Sequence, residues 1–352
     1  MREELLLPTF IQVTPTSITG PTVQRVVKLS EGPVLAKALN GRQDFWEFLY
    51  SWGGQWMWEG IEAGKGLPYN MPWVAEGMKN NTLLWVTDGS YDRKKAVDLS
   101  GMGWIIFCTK TGFHLTGTFW EKSNLASSYR AEMLGQCALH LLAWAVMEFY
   151  QIKGWSVTLC CDNKHALEQS SHHLCRIQPS AKCTDIGCSL KVTKQFLQGA
   201  FWYVHVYGHM DKLLKWEQLL LVQQLNCVCN TMAKRSITLA INNGYHGRQF
   251  RFLPKEDVAL VIWGNKVTGD ISPSLQFHAS KEVARRHLAT RKKDKWSNKC
   301  FNAVDWEHLD LALKNKTDMY KLWRSKQHSG FCGTRVQVGR YSGDLASRQM
   351  MS

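Results

Sequence analysis

No stretch of the chain approaches the roughly 18 apolar residues that a membrane span requires, and the amino terminus, MREELLLPTF, carries acids where a signal peptide needs base. Both features point to a soluble, intracellular protein. Its 11 cysteines include no Cys-x-x-Cys pair, which argues against a zinc ribbon or a thioredoxin-type site. Cys108, Cys137 and Cys160 lie inside apolar runs, as unpaired thiols do in a reducing compartment. His172, His173, Cys175, Cys183 and Cys188 form a weaker cluster that reads as ordinary loop residues before it reads as a zinc site, so no zinc is expected. No Tyr-x-Asp-Asp is present, so no polymerase palm is encoded, and there is no internal repeat. Acids are scarce: 29 Asp and Glu stand against 43 Lys and Arg, a net charge of +14. Such an excess attracts polyanions, nucleic acid ahead of a membrane surface, although a merely solvated basic face has the same composition.

What is there is apolar and aromatic enough for at least one sizeable core, with 45% hydrophobic residues and 16 Trp in 352 residues. Residues 1–80 are rich in Trp, with Trp46, Trp52, Trp56, Trp58 and Trp73 separated by glycines. Such a cluster reads as a small core or docking surface before it reads as a base-stacking platform. From 81 to 242 the pattern is α/β. A strand at Leu83 to Thr87 hands over to Asp88 and a Gly-Ser turn, and Met102 to Cys108 and Phe113 to Phe119 flank a Lys-Thr-Gly turn as a hairpin. Residues 127–150 take helical spacing, with Ser127 or Ser128 placed to cap and Glu132 in or just past the first turn. A strand at Trp155 to Cys161 runs into Asp162; helices follow over 163–171 and 184–199, then a strand over 201–207, a basic loop and a helix over 219–241. Residues 243–352 form a basic extension that includes an apolar run at 258–263 and KEVARRHLATRKKDK at 281–295.

Asp88 and Asp162 each leave the carboxyl end of a strand, where ligands bind in open α/β sheets. Glu132 would join them if its helix starts over the same edge. Three hard oxygen ligands suit magnesium or manganese, and two such ions can hydrolyse a phosphodiester.

TDGSY at 87–91, SSYRAEM at 127–133, CCDN at 160–163, GHMD at 208–211 and QLNCVCNTMAK at 224–234 come in the order and context of a known family. Together they resemble type 1 ribonuclease H, more closely the ribonuclease H domain of a eukaryotic retroelement polyprotein, over about 160 of the 352 residues. The resemblance implies a mixed five-stranded sheet flanked by helices, with smaller, mostly helical extensions at each end. It implies that Asp88, Glu132 and Asp162 hold two Mg2+ or Mn2+ ions and that His209 assists proton transfer or product departure. The family carries a fourth carboxylate four residues after an Asn; that Asn is Asn226 here, and Asn230 stands where the acid would be. An amide oxygen brings no charge and holds the second ion weakly, so reduced activity is expected. Asp211 lies near in sequence and is a possible substitute. Ser90, Asn163, Lys212, Lys215, Asn226 and Lys234 are the expected contacts to an RNA:DNA hybrid, the lysines through phosphates. The competing reading is a catalytically silent nucleic-acid-binding remnant of a retroelement. An integrase fits less well because the Glu is second in order, and a DEDD exonuclease because the first strand carries Asp-Gly-Ser.

Overall fold

The computed structural model describes residues 10–13, 23–28, 44–64, 70–123, 125–171, 182–244, 251–256, 258–262 and 265–271, with isolated positions between 275 and 317. The chain divides into two compact units, Met1–Gln276 and Phe277–Ser352, and all the elements named here belong to the first. The basic run at 281–295 and His172, His173 and Cys175 fall largely or wholly outside the described residues.

Strand β4 (Leu83–Tyr91) is the centre of a six-stranded sheet. On one side it pairs antiparallel with β5 (Leu99–Cys108), which pairs with β6 (His114–Lys122) and then β3 (Gly60–Ala63). On the other side β7 (Trp155–Cys161) and β8 (Gly199–His205) continue in parallel. The order β3-β6-β5-β4-β7-β8 is a mixed α/β sheet of the ribonuclease H-like kind. Its sixth strand, β3, comes from the Trp-rich extension, where none was expected. That extension also supplies β1 (Phe10–Val13) and β2 (Val23–Lys28), which pair with β9 (Val258–Ile262) and β10 (Asn265–Lys266) in a second sheet. The extensions are thus less helical than anticipated.

Several strand boundaries depart from the sequence reading, and two of them show how pairing sets the ends. β4 does not stop at Thr87: Asp88, Gly89, Ser90 and Tyr91 stay extended because β5 supplies partners as far as Tyr91↔Ser100. β8 begins two residues early because it pairs from Trp155↔Gly199, where a Cβ on Gly199 would lie 2.2 Å from the Trp155 ring.

Helices α1 (Phe45–Ser51) and α2 (Pro72–Lys79) precede β4, and α3 (Ser128–Tyr150) crosses the sheet. Ser127 caps α3, its Oγ accepting from Arg130 N at 3.2 Å, and every residue from Arg130 to Met147 is buried. A helix apolar on all sides needs cover on both faces. The sheet covers one, and the Trp-rich extension covers part of the other: Trp52 packs on Trp144 at 4.7 Å and Phe45 on Phe149 at 5.4 Å. Trp52, Trp56, Trp58 and Trp73 are all buried, so these rings form core and are closed to bases. Helices α4 (Lys164–Ser171) and α5 (Thr184–Phe196) follow β7, and α6 (Leu221–Asn242) closes the opposite face of the sheet. There Gly101 and Gly103 let the α6 backbone approach: a Cβ on Gly103 would stand 2.4 Å from Cys229 O.

Candidate active site

Parallel register brings the two aspartates together. Val86 is level with Cys160, so two places on, Asp88 on β4 stands beside Asp162 just past the end of β7. Glu132 arrives from the first turns of α3. The helix can come this close because residue 89 is glycine: a Cβ there would lie 2.6 Å from both Ala131 Cβ and Glu132 N. A second glycine serves the other flank, since a Cβ on Gly208 would meet Asp162 Oδ2 at 2.1 Å. Asp88 and Glu132 are buried, at 4% and 3% exposure, and Asp162 is half-buried.

The electrostatics follow from that crowding. Burial, and then the charge of Asp162, pushes the Asp88 carboxyl up to about 7. Burial, and then the charges of Asp88 and Asp162, hold Glu132 well above the usual carboxylate range. Asp162 is raised by burial, with the nearby imidazoles of His209 and His205 pulling the other way. Proximity of the two carboxyls favours a proton held on Glu132 beside Asp88, and the Gly89 N–H works in the other direction on both, favouring their ionised forms. Three carboxylates this close and this dry need a proton or a cation among them. Their hard oxygens fit a divalent ion such as Mg2+ or Mn2+.

The place of the fourth carboxylate is occupied differently. Asn230, on α6, is half-buried and its Nδ2 stands 3.3 Å from His209 Nδ1. The amide donates, so the ring proton of His209 belongs on Nε2. His209 is exposed on the turn after β8 in a left-handed conformation (φ 54). Asp211, the stand-in considered for the missing acid, is exposed and lies near Cys227, whose thiol is pushed up by burial with the Asp211 charge assisting.

The expected nucleic-acid contacts divide. Lys212, Lys215 and Lys234 are exposed, and Lys234 is near enough to Asp88 to favour its ionised form. Ser90 is half-buried on β4. Asn163 spends Oδ1 on capping α4 through Ala166 N at 3.0 Å, and its N–H donates to Cys161 Sγ at 3.3 Å. Asn226 is 1% exposed with its Nδ2 unpartnered, so its side chain does not reach the surface.

Two neighbours escaped the sequence reading. His205 Nε2 lies 3.0 Å from Asp162 O, and the only signal for it was one polar residue closing an aromatic strand. The other is Cys161, whose Sγ stands 3.3 Å from Glu132 Oε2. One donor atom from each of Glu132, Cys161 and Asp162 lies within 4.8 Å of the others.

No family model matches the chain, and no curated protein matches it. Among solved structures it is similar to the PFV RNase H domain, at 13% identity over 45% of this chain and 95% of that one, with a TM-score of 0.33. It is also similar to LC11-RNase H1 in complex with RNA/DNA hybrid, at 13% identity, 45% and 99% coverage and a TM-score of 0.29. A foamy viral protease-reverse transcriptase in complex with RNA/DNA hybrid gives 10% identity, 45% coverage of this chain but 20% of that one, and a TM-score of 0.30. The fold assignment rests on the strand order and the placement of α3 and α6 against the sheet.

Proposed function

We propose that this chain is an endonuclease of the type 1 ribonuclease H kind, cutting the RNA strand of RNA:DNA hybrids and leaving a 3′-hydroxyl and a 5′-phosphate. The observation that carries the reading is the convergence of Asp88, Glu132 and Asp162, from three separate elements, on one rim of the sheet. When bound there, a pair of Mg2+ or Mn2+ ions would activate the attacking water and stabilise the departing oxygen. Asp88, Glu132 and Asp162 would hold them. His209, with its proton on Nε2 and its ring fixed by Asn230, is the group placed to move a proton at the departing oxygen. Lys212, Lys215 and Lys234 meet phosphates, Ser90 and the exposed side of Asn163 flank the strand, and a 2′-hydroxyl marks it as RNA.

Asn230 favours a second reading, a silent hybrid-binding remnant of a retroelement polyprotein, because its amide engages His209 and brings no charge to the metal site. A cleavage assay on labelled hybrid with Mg2+ or Mn2+ decides between them. The nuclease reading expects RNA-strand cutting that falls by about a hundredfold or more in Asp88→Asn and in Asp162→Asn. Hybrid binding without cutting by the wild type would overturn it in favour of the remnant.

A further inference from the structure

Cys161 is the last residue of β7, buried on the α3 side of the sheet. Its neighbour Cys160 faces the other way, into the small core under α6 with Val86 and Cys229. Of this adjacent pair, Cys161 is therefore the one that looks toward the acids. Its thiol donates to Glu132 Oε2 at 3.3 Å, and its sulfur accepts from Asn163 N at 3.3 Å. The Cys161 sulfur and Glu132 Oε2, 3.3 Å apart, can share one ion with metal–sulfur bonds of about 2.3 Å and metal–oxygen bonds of about 2.0–2.2 Å, and a donor oxygen of Asp162 lies within 4.8 Å of the other two donors, so that a small side-chain rotation brings it into the same shell.

We propose that Cys161, Glu132 and Asp162 form a mixed thiolate–carboxylate site for a thiophilic divalent cation, Zn2+ or Cd2+, which competes with the hard ions and shuts the site down. The proposal rests on the nuclease reading for its consequence, though not for the binding itself. Softness supplies the discrimination: a thiolate adds little for Mg2+, whose preference is oxygen in an octahedron, and a great deal for Zn2+ or Cd2+. On binding, the Cys161 S–H bond is replaced by a sulfur–metal bond, and the proton leaves to solvent with no change of oxidation state. Three protein ligands leave a fourth position for water. The ion so held takes Glu132 and Asp162, two of the three acids that the hard pair needs. It is an inhibitory occupant and not a resident cofactor.

The test uses the full chain, reduced and stripped of metal, titrated with Cd2+ while the thiolate-to-metal charge-transfer absorption in the ultraviolet is followed. The wild type is expected to show one saturating component that is absent in Cys161→Ser, present in Cys188→Ser, and displaced by a large excess of Mg2+. The half-inhibitory Zn2+ concentration for Mg2+-supported cleavage should rise about tenfold or more in Cys161→Ser. Should that variant fail to fold, Asp162→Asn with Cys161 intact serves instead and should weaken the Cd2+ component by a similar factor. An absorption and affinity unchanged in Cys161→Ser, or indifferent to Asp162→Asn, would overturn the proposal. Absence of Mg2+-supported cutting in the wild type would instead remove the nuclease reading and leave the absorption result standing.

Discussion

A buried carboxylate that cannot ionise freely is a cost the fold bears for the sake of what it binds. Asp88 shows this: its pKa lies near 7 in the fold against 3.8 outside it. A raised folded value means that the fold holds the proton more tightly than the unfolded chain does. The resulting stability is present below about 3.8 and is lost as pH rises through about 7. Metal-free protein should therefore weaken between about pH 4 and pH 7 and change little above that, and Asp88→Asn should recover on the order of 2 kcal/mol at pH 8 in urea unfolding with chelator. A variant no more stable than wild type there would mean that the charge is relieved in some other way. Asn230 invites the opposite kind of change. Asn230→Asp restores an acid to the rim and should raise the cleavage rate several-fold; an unchanged rate would discredit the fourth-ligand account and leave Asn230 as the residue that orients His209. The three acids were legible in the sequence because their motifs keep a fixed order. The Asn230–His209 contact was not, since it joins a turn to a helix and depends on where each is docked. Cys161 was invisible for another reason: a thiol in an apolar strand reads as core filling, and only the entry of α3 over Gly89 turns it toward an acid.

At the scale of elements, α3 does two jobs that pull against each other. It presents Glu132 to the rim, and it runs through the core so deeply that its polar residues lose water, which leaves the Gln136 amide without a partner while His140 finds two. His140 is the clearest case. It is fully buried, its Nδ1 donates to Gln136 O at 2.8 Å, and its Nε2 accepts from the Tyr203 hydroxyl at 2.8 Å. Burial selects the neutral ring, in which Nε2 is the acceptor, and pushes the imidazole down to about 3. Here the sign is reversed: a depressed folded value gives stability that is present above 6.5 and is lost as pH falls toward 3. The loss of stability between pH 7.5 and pH 4.5 should shrink by about 2–3 kcal/mol in His140→Leu, as read from urea midpoints at the two pH values. Equal losses in both proteins would show that the acid limb belongs to other groups. The helix and its cap were readable from spacing and from Ser127; the strand ends were not. β4 runs on through Asp88 and Gly89 because a neighbouring strand pairs with them, which no local turn propensity records.

At the scale of the whole first unit, residues after α6 are tied to the foot of α3 by charges almost cut off from water. Arg130 forms paired contacts with Glu121 and Asp185, and Lys266 reaches Asp185 at 3.3 Å and Glu256 at 2.6 Å. Pro254 sits against Gly54, and Trp56 Nε1 donates to Phe252 O at 2.8 Å, so the same segment also meets the Trp-rich extension. The basic extension thus spends one of its lysines, Lys266, in a buried network, something composition cannot reveal. Three acids share two bases there, so the members are not equivalent. Asp185 is held down to about 2, Arg130 leading and Lys266 assisting against the burial that raises it, whereas burial keeps Glu256 raised despite Lys266. Removing the cation and removing the weakly held acid should therefore differ. Lys266→Met leaves Glu256 without a cation beside Asp185, which then depends on Arg130 alone, and should cost about 3–5 kcal/mol. Glu256→Gln keeps an acceptor for Lys266 and for Leu253 N, which Glu256 Oε2 now serves at 2.7 Å, and should cost less than about 1.5 kcal/mol. Urea unfolding of the two variants at pH 7 reads the contrast directly. Equal losses would mean that packing around the segment, and not its charge, holds it to the foot of α3.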